Sequence, residues 1–250
     1  MRPDRTASPP RAHGSLHPEA AWLPAPWQAA ASRTVLSTTS PAVKTPTVRQ
    51  LLLRQSRILP LAALLLPILI GFSAPGYSSL SQHVSELQLL DHPVAALMRV
   101  APLVCGLSIL LFGLGAWLIE PARFTFTALT SAAVAANFIS AGLWVTGSPL
   151  HGLYGVGFFI PLVPACFAAE SGMGRSVRRV CLTVAVLSMA YLWLNLSGLD
   201  PLRGLSQRLA IVLILGWYTY ASHQLLRAFR GNDPKTRRTA DGARPDPLMR

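Results

Sequence analysis

Charged side chains are scarce in this 250-residue sequence and are absent from long parts of it. Lys, Arg, Asp and Glu make up 13% of the chain, whereas they make up about a quarter of a soluble domain. A helix needs about 20 apolar residues to cross a hydrocarbon core ~30 Å thick. The composition therefore excludes an ordinary soluble domain and predicts an all-α, polytopic membrane protein. The stretches without any of these four residue types are 58–85, 100–119, 124–169, 180–199 and 209–226.

The longest of these stretches is long enough for two crossings, and a turn signal from Thr146 to Pro149 divides it. This division predicts about six transmembrane helices in one bundle over residues 49–229. A disordered cytoplasmic tail, 1–48, precedes the bundle, and a disordered basic cytoplasmic tail, 230–250, follows it. The six predicted spans are about 58–76, 100–119, 124–145, 151–169, 180–196 and 209–226.

Residue patterns of the common catalytic and metal-binding sites are also missing. The sequence contains no His-Glu-x-x-His, no Gly-x-Ser-x-Gly and no Walker phosphate loop. Its three cysteines lie singly in apolar segments, without the spacing of metal ligands or of a disulfide framework. We therefore expect no cofactor and no bound metal. No charged residue falls at the predicted middle of a span, which disfavours a proton-coupled transporter.

The net charge of +12 is carried by the tails and by the ends of apolar segments. This placement differs from a basic surface with interleaved aromatic residues, so we expect the lipid bilayer and not nucleic acid as the partner. With the N-terminus inside, the inner ends carry Arg49, Arg54, Arg57, Arg123, Arg175, Arg178, Arg179, Arg227 and Arg230, and the outer ends carry Arg99, Arg203 and Arg208. Because basic residues favour the cytoplasmic side, both termini are predicted to be cytoplasmic, in the plasma (inner) membrane of a bacterium.

One polar stretch, 76–87, stands between the first two apolar segments. As a helix it would place Ser78, Gln82 and Glu86 along one face, because residues four apart share a face of a helix. Leu80, Val84 and Leu87 would then lie on the opposite side. We therefore expect a short amphipathic helix at the membrane surface.

The predicted topology brings polar residues from three separate connections to the outer membrane boundary. They come from the polar stretch, from the start of the fourth span and from the segment before the sixth span. We predict a ligand-binding site at this boundary, with one polar residue of the third span at greater depth. The candidate ligand-binding residues are Gln82, Ser85, Glu86, Asn137, His151, Gln207 and Arg208.

Three of these residues could supply chemistry, and each also has a purely structural interpretation. Glu86 could act as a base or anchor a cation, His151 could transfer protons near neutral pH, and Arg208 could clamp a phosphate or carboxylate. Alternatively, Glu86 and Arg208 form an ion pair across the outer rim, and His151 caps the fourth span. Asn137 could contact a ligand or hydrogen-bond a neighbouring helix. The residues alone leave these alternatives open.

At these positions the chain resembles a family of prokaryotic integral membrane proteins known as domain of unknown function 998, over about 58–229. The resemblance implies a membrane fold of six spans. Members of the family often carry an acid before the arginine, where this chain has Gln207, so the resemblance does not support a site of two carboxylates. It also implies no mechanism, because the family has no established activity. The residues that carry the resemblance are Gly76-Tyr77-Ser78, Ser85-Glu86-Leu87, Gly113, Gly115, His151-Gly152, Gly204, Gln207-Arg208 and Trp217.

The leading functional hypothesis is a membrane protein that binds a lipid headgroup or a small polar ligand at its outer rim. A membrane-embedded lipid hydrolase or transferase would use His151 with Glu86 or Ser85, and those groups would have to lie within roughly 3–4 Å or share one water. A small transporter would need a polar cavity that reaches the middle of the membrane, close to Asn137. A structural or accessory subunit would need none of these features.

Overall fold

The computed structural model describes residues 46–153, 155–198 and 201–231, and within them the secondary-structure elements are all helices, joined by turns and loops, without strands. Two short 3-10 helices, Val84–Leu89 and Val156–Phe158, accompany the α-helices. The predicted disordered tails, 1–48 and 230–250, lie almost entirely outside the described residues. The α-helices are α1 (Val48–Gln55), α2 (Leu59–Gly71), α3 (Val94–Ile119), α4 (Thr125–Leu143), α5 (Phe159–Glu170), α6 (Arg175–Ser197) and α7 (Arg203–Gly231).

Among the described residues, five helical stretches are long and apolar enough to cross a membrane. They are Val48–Gly71, which joins α1 and α2, then α3, α4, α6 and Arg203–Phe229 of α7. This arrangement confirms the all-α, polytopic membrane class. The predicted fourth span corresponds to the shorter stretch Val156–Glu170, which rises only about 22 Å at 1.5 Å per residue. The number of six crossings and the cytoplasmic location of the termini stay predictions.

The connections between helices define two ends of the bundle. The loop end carries the connections 72–93 and 144–153 and the start of α7. The terminal end carries the start of α1, the connections 120–124 and 171–174, and the end of α7. At the terminal end, Glu170 accepts hydrogen bonds from the backbone N–H groups of Phe126 and Thr127, both at 2.8 Å. A carboxylate in this position stabilises the start of α4, because the first amides of a helix have no partner within it.

α3 and α4 pack at close range because glycines lie at their contact. A Cβ atom on Gly106 would lie 2.8 Å from the carbonyl oxygen of Ala135. On Gly142 it would lie 2.7 Å from the carbonyl oxygen of Arg99. Small residues allow such close approach of helix backbones within a membrane, so this pair of helices forms a rigid base for the elements around it.

A cluster of four aromatic side chains fills the terminal half of the bundle between α3, α5 and α7. It consists of Phe112, Phe167, Trp217 and Tyr218, and each of them is at most 2% exposed. The contacting rings have centroids 5.0 to 5.9 Å apart and meet edge to face, an arrangement that favours aromatic pairs. The cluster therefore closes the interior of the bundle below the loop end.

The first crossing is broken at residues 56–58, and the break lies deeper than the sequence predicts. Gln55 Nε2 and Ser56 Oγ donate to the carbonyl of Ser108 in α3, at 3.1 and 3.3 Å. Thr219 Oγ1 in α7 donates to the carbonyl of Arg57 at 2.8 Å. We predicted Arg57 at the inner membrane end and no charge at mid-span, whereas these contacts place the backbone of Arg57 beside the middle of α3 and α7. Before the break, the buried side chain of Leu53 packs on α3 beside Gly115.

The close contact of α3 and α4 gives a first testable prediction. Gly106→Ala should lower the free energy of unfolding by about 1–3 kcal/mol, because the new methyl group overpacks a contact between backbones. The matched control is Gly216→Ala in α7, where a Cβ atom meets nothing within 4 Å. That control should be neutral or stabilising by up to about 1 kcal/mol, because alanine favours helix more than glycine does. Unfolding in detergent, followed by tryptophan fluorescence, measures both, and equal effects would contradict the prediction.

Candidate functional site

A cavity of about 350 Å³ lies in the loop-end half of the bundle. Its size is at the lower end of the range of about 300–1,000 Å³ that is typical of ligand pockets. The 3-10 helix Val84–Leu89 forms its roof, and side chains of α2 to α7 form its walls. None of its described lining residues is Asp, Glu, Lys or Arg. The polar lining residues are His83, Ser85, Gln88, Asn137, His151, Tyr191, Asn195 and Gln207.

The polar stretch 76–87 is not the amphipathic helix that its pattern predicts. It runs through turns and bends as far as His83, and only Val84–Leu89 is helical, as a 3-10 helix. Side-chain acceptors compete here with the helical backbone pattern. Gln82 Oε1 accepts a hydrogen bond from the backbone N–H of Ser78 at 2.6 Å, and Glu86 Oε1 accepts one from that of His83 at 3.0 Å. These bonds favour a folded loop over a continuous helix.

Arg208 is the residue that holds this loop on the bundle. It is 6% exposed, and its Nη1 donates to the carbonyls of Ser79 and Gly204, both at 2.7 Å, and to that of Gln82 at 3.2 Å. A guanidinium has donors in a fixed fork, which suits several carbonyls at once. The predicted ion pair with Glu86 is not formed. The guanidinium of Arg208 is therefore engaged by the protein and does not face the cavity.

The phenol of Tyr77 completes the contact between Arg208 and the loop. It accepts a hydrogen bond from Arg208 Nη2 at 2.5 Å and donates one to the carbonyl of His83 at 3.0 Å. Burial raises the pKa of Tyr77 above its usual value, although the hydrogen bond and the positive charge of Arg208 act in the opposite direction. The phenol therefore stays neutral at physiological pH and keeps the proton that it donates.

The start of α7 touches the loop through Gln207 and Gly204. Gln207 Oε1 accepts a hydrogen bond from the backbone N–H of Val84 at 2.6 Å. The Gly204 N–H donates to the carbonyl of Leu80 at 3.0 Å. A Cβ atom on Gly204 would lie 2.4 Å from the carbonyl oxygen of Gln82, so only glycine allows this approach. Gln207 thus both anchors the roof and lines the cavity.

Glu86 lies on the side of the loop that faces away from the cavity lining. Its carboxylate accepts hydrogen bonds from the His83 N–H and from Gln82 Nε2, the latter at 3.3 Å. It also lies 3.8 Å from Nη2 of Arg203, in a pair that is partly exposed. An exposed pair of this kind contributes little to stability. Glu86 and Gln82 therefore shape the loop and are not among the lining residues.

His151 lines the cavity and is 9% exposed. Its Nδ1 lies 2.7 Å from the carbonyl oxygen of Trp144. Because a carbonyl only accepts hydrogen bonds, this contact assigns the ring proton to Nδ1. Nε2 lies 3.4 Å from Thr146 Oγ1, and the Thr146 hydroxyl in turn donates to the carbonyl of Ser85 at 2.9 Å. The lone pair of Nε2 is therefore free to accept a proton donor from the cavity.

Asn137 lies in α4 and lines the deeper part of the cavity. Its side-chain oxygen is 3.6 Å from the position that a Cβ atom on Gly152 would occupy, so the two residues are close neighbours. Gly152 has a φ of +70°, a conformation that favours glycine. Within the part of the chain that the structure describes, the Asn137 amide makes no hydrogen bond. The helix-to-helix bond that we considered for it is thus not observed there.

Gln88 is a structural residue of the site that the sequence analysis missed. It is 4% exposed, and its Nε2 donates to the carbonyls of Met98 and Ala141 at 3.1 and 2.9 Å. Its Oε1 accepts from the backbone N–H of Thr146 at 3.1 Å. Side chains three apart lie above one another in a 3-10 helix, so Ser85 and Gln88 share the cavity side. The spacing of three residues between Ser85 and Gln88 would have predicted Gln88 as a lining residue, whereas the α-helical spacing of four did not.

The structure thus divides the predicted site residues into two groups. Ser85, Asn137, His151 and Gln207 line one cavity. The remaining three, Gln82, Glu86 and Arg208, hold the loop that covers it, so the expected convergence of Glu86, His151 and Arg208 on one ligand is not formed. His83, Gln88, Tyr191 and Asn195 belong to the lining although they were not predicted. Among the described residues no three His, Cys, Asp or Glu side chains cluster as metal ligands do.

Comparison with known families identifies the chain. A family model described as "Protein of unknown function (DUF998)" matches residues 58–223. The chain belongs to the DUF998 family. This confirms the resemblance to that family. The DUF998 match begins just after the break in the first crossing, so α1 lies before it. No curated protein and no solved structure shows a significant match to the chain.

The role of Arg208 gives a second testable prediction. Arg208→Met should lower the free energy of unfolding by about 3 kcal/mol, because each hydrogen bond to a charged group contributes about 1.5–3 kcal/mol and buried carbonyls lose their donor. The control is Arg203→Met, which removes a half-exposed arginine of the same loop contact and should cost less than about 1 kcal/mol. Chemical unfolding in detergent gives both values.

Limited proteolysis provides an independent measurement for the same pair of variants. We expect Arg208→Met to expose residues 76–83 to cleavage, whereas Arg203→Met leaves them protected. Equal stability and equal protection in both variants would show that Arg208 does not anchor the loop.

Proposed function

We propose that this protein binds a membrane amphiphile with a small uncharged polar head in the loop-end cavity. The observation that carries the proposal is the Asn137 amide, which lines the cavity and has no hydrogen-bond partner among the described residues. A polar group at membrane depth is costly when it is unpaired. A ligand with hydroxyl or amide groups would supply the missing partner.

The polarity of the lining supports an uncharged head group. His151 Nε2 offers an acceptor, Asn137 offers both donor and acceptor, and no described lining residue offers a full charge. Burying an unpaired phosphate or carboxylate among such groups would carry a large desolvation cost. Arg203 and Arg208, the two arginines at the cavity roof, do not reduce this desolvation cost. Arg208 donates hydrogen bonds to loop carbonyls, and Arg203 contacts Ser81 and Glu86.

The rim of the cavity supports a ligand that comes from the bilayer. Phe158 and Leu196 both line the cavity, and they are 50% and 64% exposed. Large apolar side chains that are exposed on a membrane-spanning bundle face the acyl chains of lipids. An amphiphile could therefore enter beside the 3-10 helix Val156–Phe158 and the end of α6, with its chain in the bilayer and its head toward Asn137.

Binding is better supported than transport or catalysis. The cluster of Phe112, Phe167, Trp217 and Tyr218 fills the terminal half of the bundle, which disfavours a path across the membrane. For catalysis, His151 would have to activate a nucleophile, but no hydrogen bond joins its ring to the side chain of Ser85 or Glu86. Its Nδ1 contacts the carbonyl of Trp144, and its Nε2 lies 3.4 Å from Thr146 Oγ1.

The same proposal includes location and orientation. The protein is assigned to the bacterial plasma membrane with both termini cytoplasmic, so that the cavity opens in the outer half of the bilayer. The support is the excess of arginine at the terminal end. The excess of arginine at the terminal end persists when Arg54 and Arg57 are left out of the count.

A third prediction tests the ligand class directly. The full-length protein in phosphatidylcholine nanodiscs should retain a radiolabelled monoacylglycerol and should retain the matched lysophosphatidic acid at least tenfold less. Ala141→Phe, which fills the cavity from α4, should reduce monoacylglycerol retention by at least tenfold. Asn137→Leu should reduce it as well, because the head group then loses its polar partner.

The control variant is Ala190→Phe, which adds the same side chain to the exposed face of α6, at a position outside the cavity lining. It should retain the monoacylglycerol as the unchanged protein does. Equal retention by Ala141→Phe and Ala190→Phe, or preference for the phosphorylated lipid, would refute the proposal.

A further inference from the structure

Arg57 in the first crossing lies beside the middle of α3 and α7, and Arg54 lies nearer the terminal end. The carbonyl of Arg57 accepts a hydrogen bond from Thr219. The side chains of Gln55 and Ser56, which precede Arg57, donate hydrogen bonds to the carbonyl of Ser108. Ser108 lies eleven residues before the end of α3, and Thr219 lies ten residues before Phe229. At 1.5 Å per residue these two distances are about 15 to 17 Å, which is about half the thickness of a ~30 Å hydrocarbon core.

Neither guanidinium has a partner within the described part of the chain. Arg54 and Arg57 are both exposed, and no hydrogen bond or ion pair to their side chains occurs among the described residues. The exposed residues around them are apolar, with Leu51 at 50%, Ile58 at 68% and Leu59 at 43%. Arg49, about two helical turns nearer the terminal end than Arg57, does have a partner. Its guanidinium lies over the ring of Phe229, 5.0 Å from the ring centroid.

The two arginines differ in their reach toward the membrane surface. Arg54 lies in α1, three positions before Arg57 and nearer the terminal end, and its long side chain can extend toward the headgroups. Arg57 is separated from that surface by about half of the hydrocarbon core, which is more than an arginine side chain spans. An ionisable residue at this depth normally has a specific partner.

We propose that Arg57, assisted by Arg54, is a docking site for a transmembrane helix of another protein that carries an Asp or Glu near the middle of its span. A carboxylate at that depth supplies the opposite charge, and guanidinium and carboxylate match in a two-pronged geometry. Leu51, Ile58 and Leu59 supply an apolar surface around the pair.

A second copy of this chain does not fit the same position. Its apolar stretches contain no Asp or Glu, and Glu120 and Glu170 lie at the ends of helices. A second copy therefore offers no carboxylate at mid-span. Arg54 and Arg57 precede the matched DUF998 region, which begins at residue 58.

The test uses the full chain in phosphatidylcholine vesicles and a synthetic polyleucine helix with one central Glu. Energy transfer between labels on the two measures their association at a low ratio of helix to lipid. We expect the Glu helix to bind at least tenfold more tightly than a matched helix with a central Gln. Arg57→Leu should remove this preference, Arg57→Lys should retain most of it, and Arg57→Glu should shift the preference to a helix with a central Lys.

The matched control is Arg49→Leu, which removes an arginine of the same helix at the terminal end and should leave the preference unchanged. Equal binding of the Glu and Gln helices to the unchanged protein would overturn the proposal. Loss of the preference for the Glu helix when phosphatidylglycerol is added to the vesicles would also overturn the proposal, because it would show that the arginines bind lipid phosphates. Thermal unfolding of each variant verifies that it is folded.

Discussion

The buried guanidinium of Arg208 is the interaction on which the rest of the loop end depends. A cation out of contact with water needs acceptors, and loop carbonyls at a membrane surface need donors. The loop carbonyls of Ser79 and Gln82 and the α7 carbonyl of Gly204 accept from Nη1, whereas the buried Nε has no acceptor among the described residues. The absence of a side chain on Gly204 allows the loop to approach α7 closely enough for these bonds.

The position of the loop determines the chemical character of the cavity beneath it. With Arg208 engaged by carbonyls and Glu86 turned toward Gln82 and Arg203, the charged groups of the loop are used in holding the roof. The 3-10 turn directs Ser85 and Gln88 inward, and Gln88 links the roof to α3 and α4. The result is a cavity without charged lining residues among those described, in which Asn137 and His151 Nε2 are two of the polar groups that line it.

The two halves of the bundle serve different purposes. The terminal half is filled by the rings of Phe112, Phe167, Trp217 and Tyr218 and is closed. The close contact of α3 and α4 at Gly106 and Gly142 lies at the middle of the bundle and toward the loop end. The first crossing is the exception, because it is broken beside Ser108 and Thr219 and carries Arg57 at the same level. A break in a membrane helix is tolerated where neighbouring side chains satisfy the freed backbone groups, and here Thr219 satisfies the Arg57 carbonyl.

The sequence by itself determined the class of the protein, because stretches without charge that are long enough to cross a bilayer have few other solutions. It also predicted that Ser85, Asn137, His151 and Gln207 belong to one region, since the order of the helices brings their connections to the same end. Only the tertiary structure decided that Arg208 binds the loop and not a ligand, and that Arg57 lies beside the middle of the bundle. Partners of a charged side chain come from segments far apart in the chain, so local periodicity does not reveal them. The 3-10 turn over Val84–Leu89 was decided in the same way, by bonds to α7 and to the connection after α4.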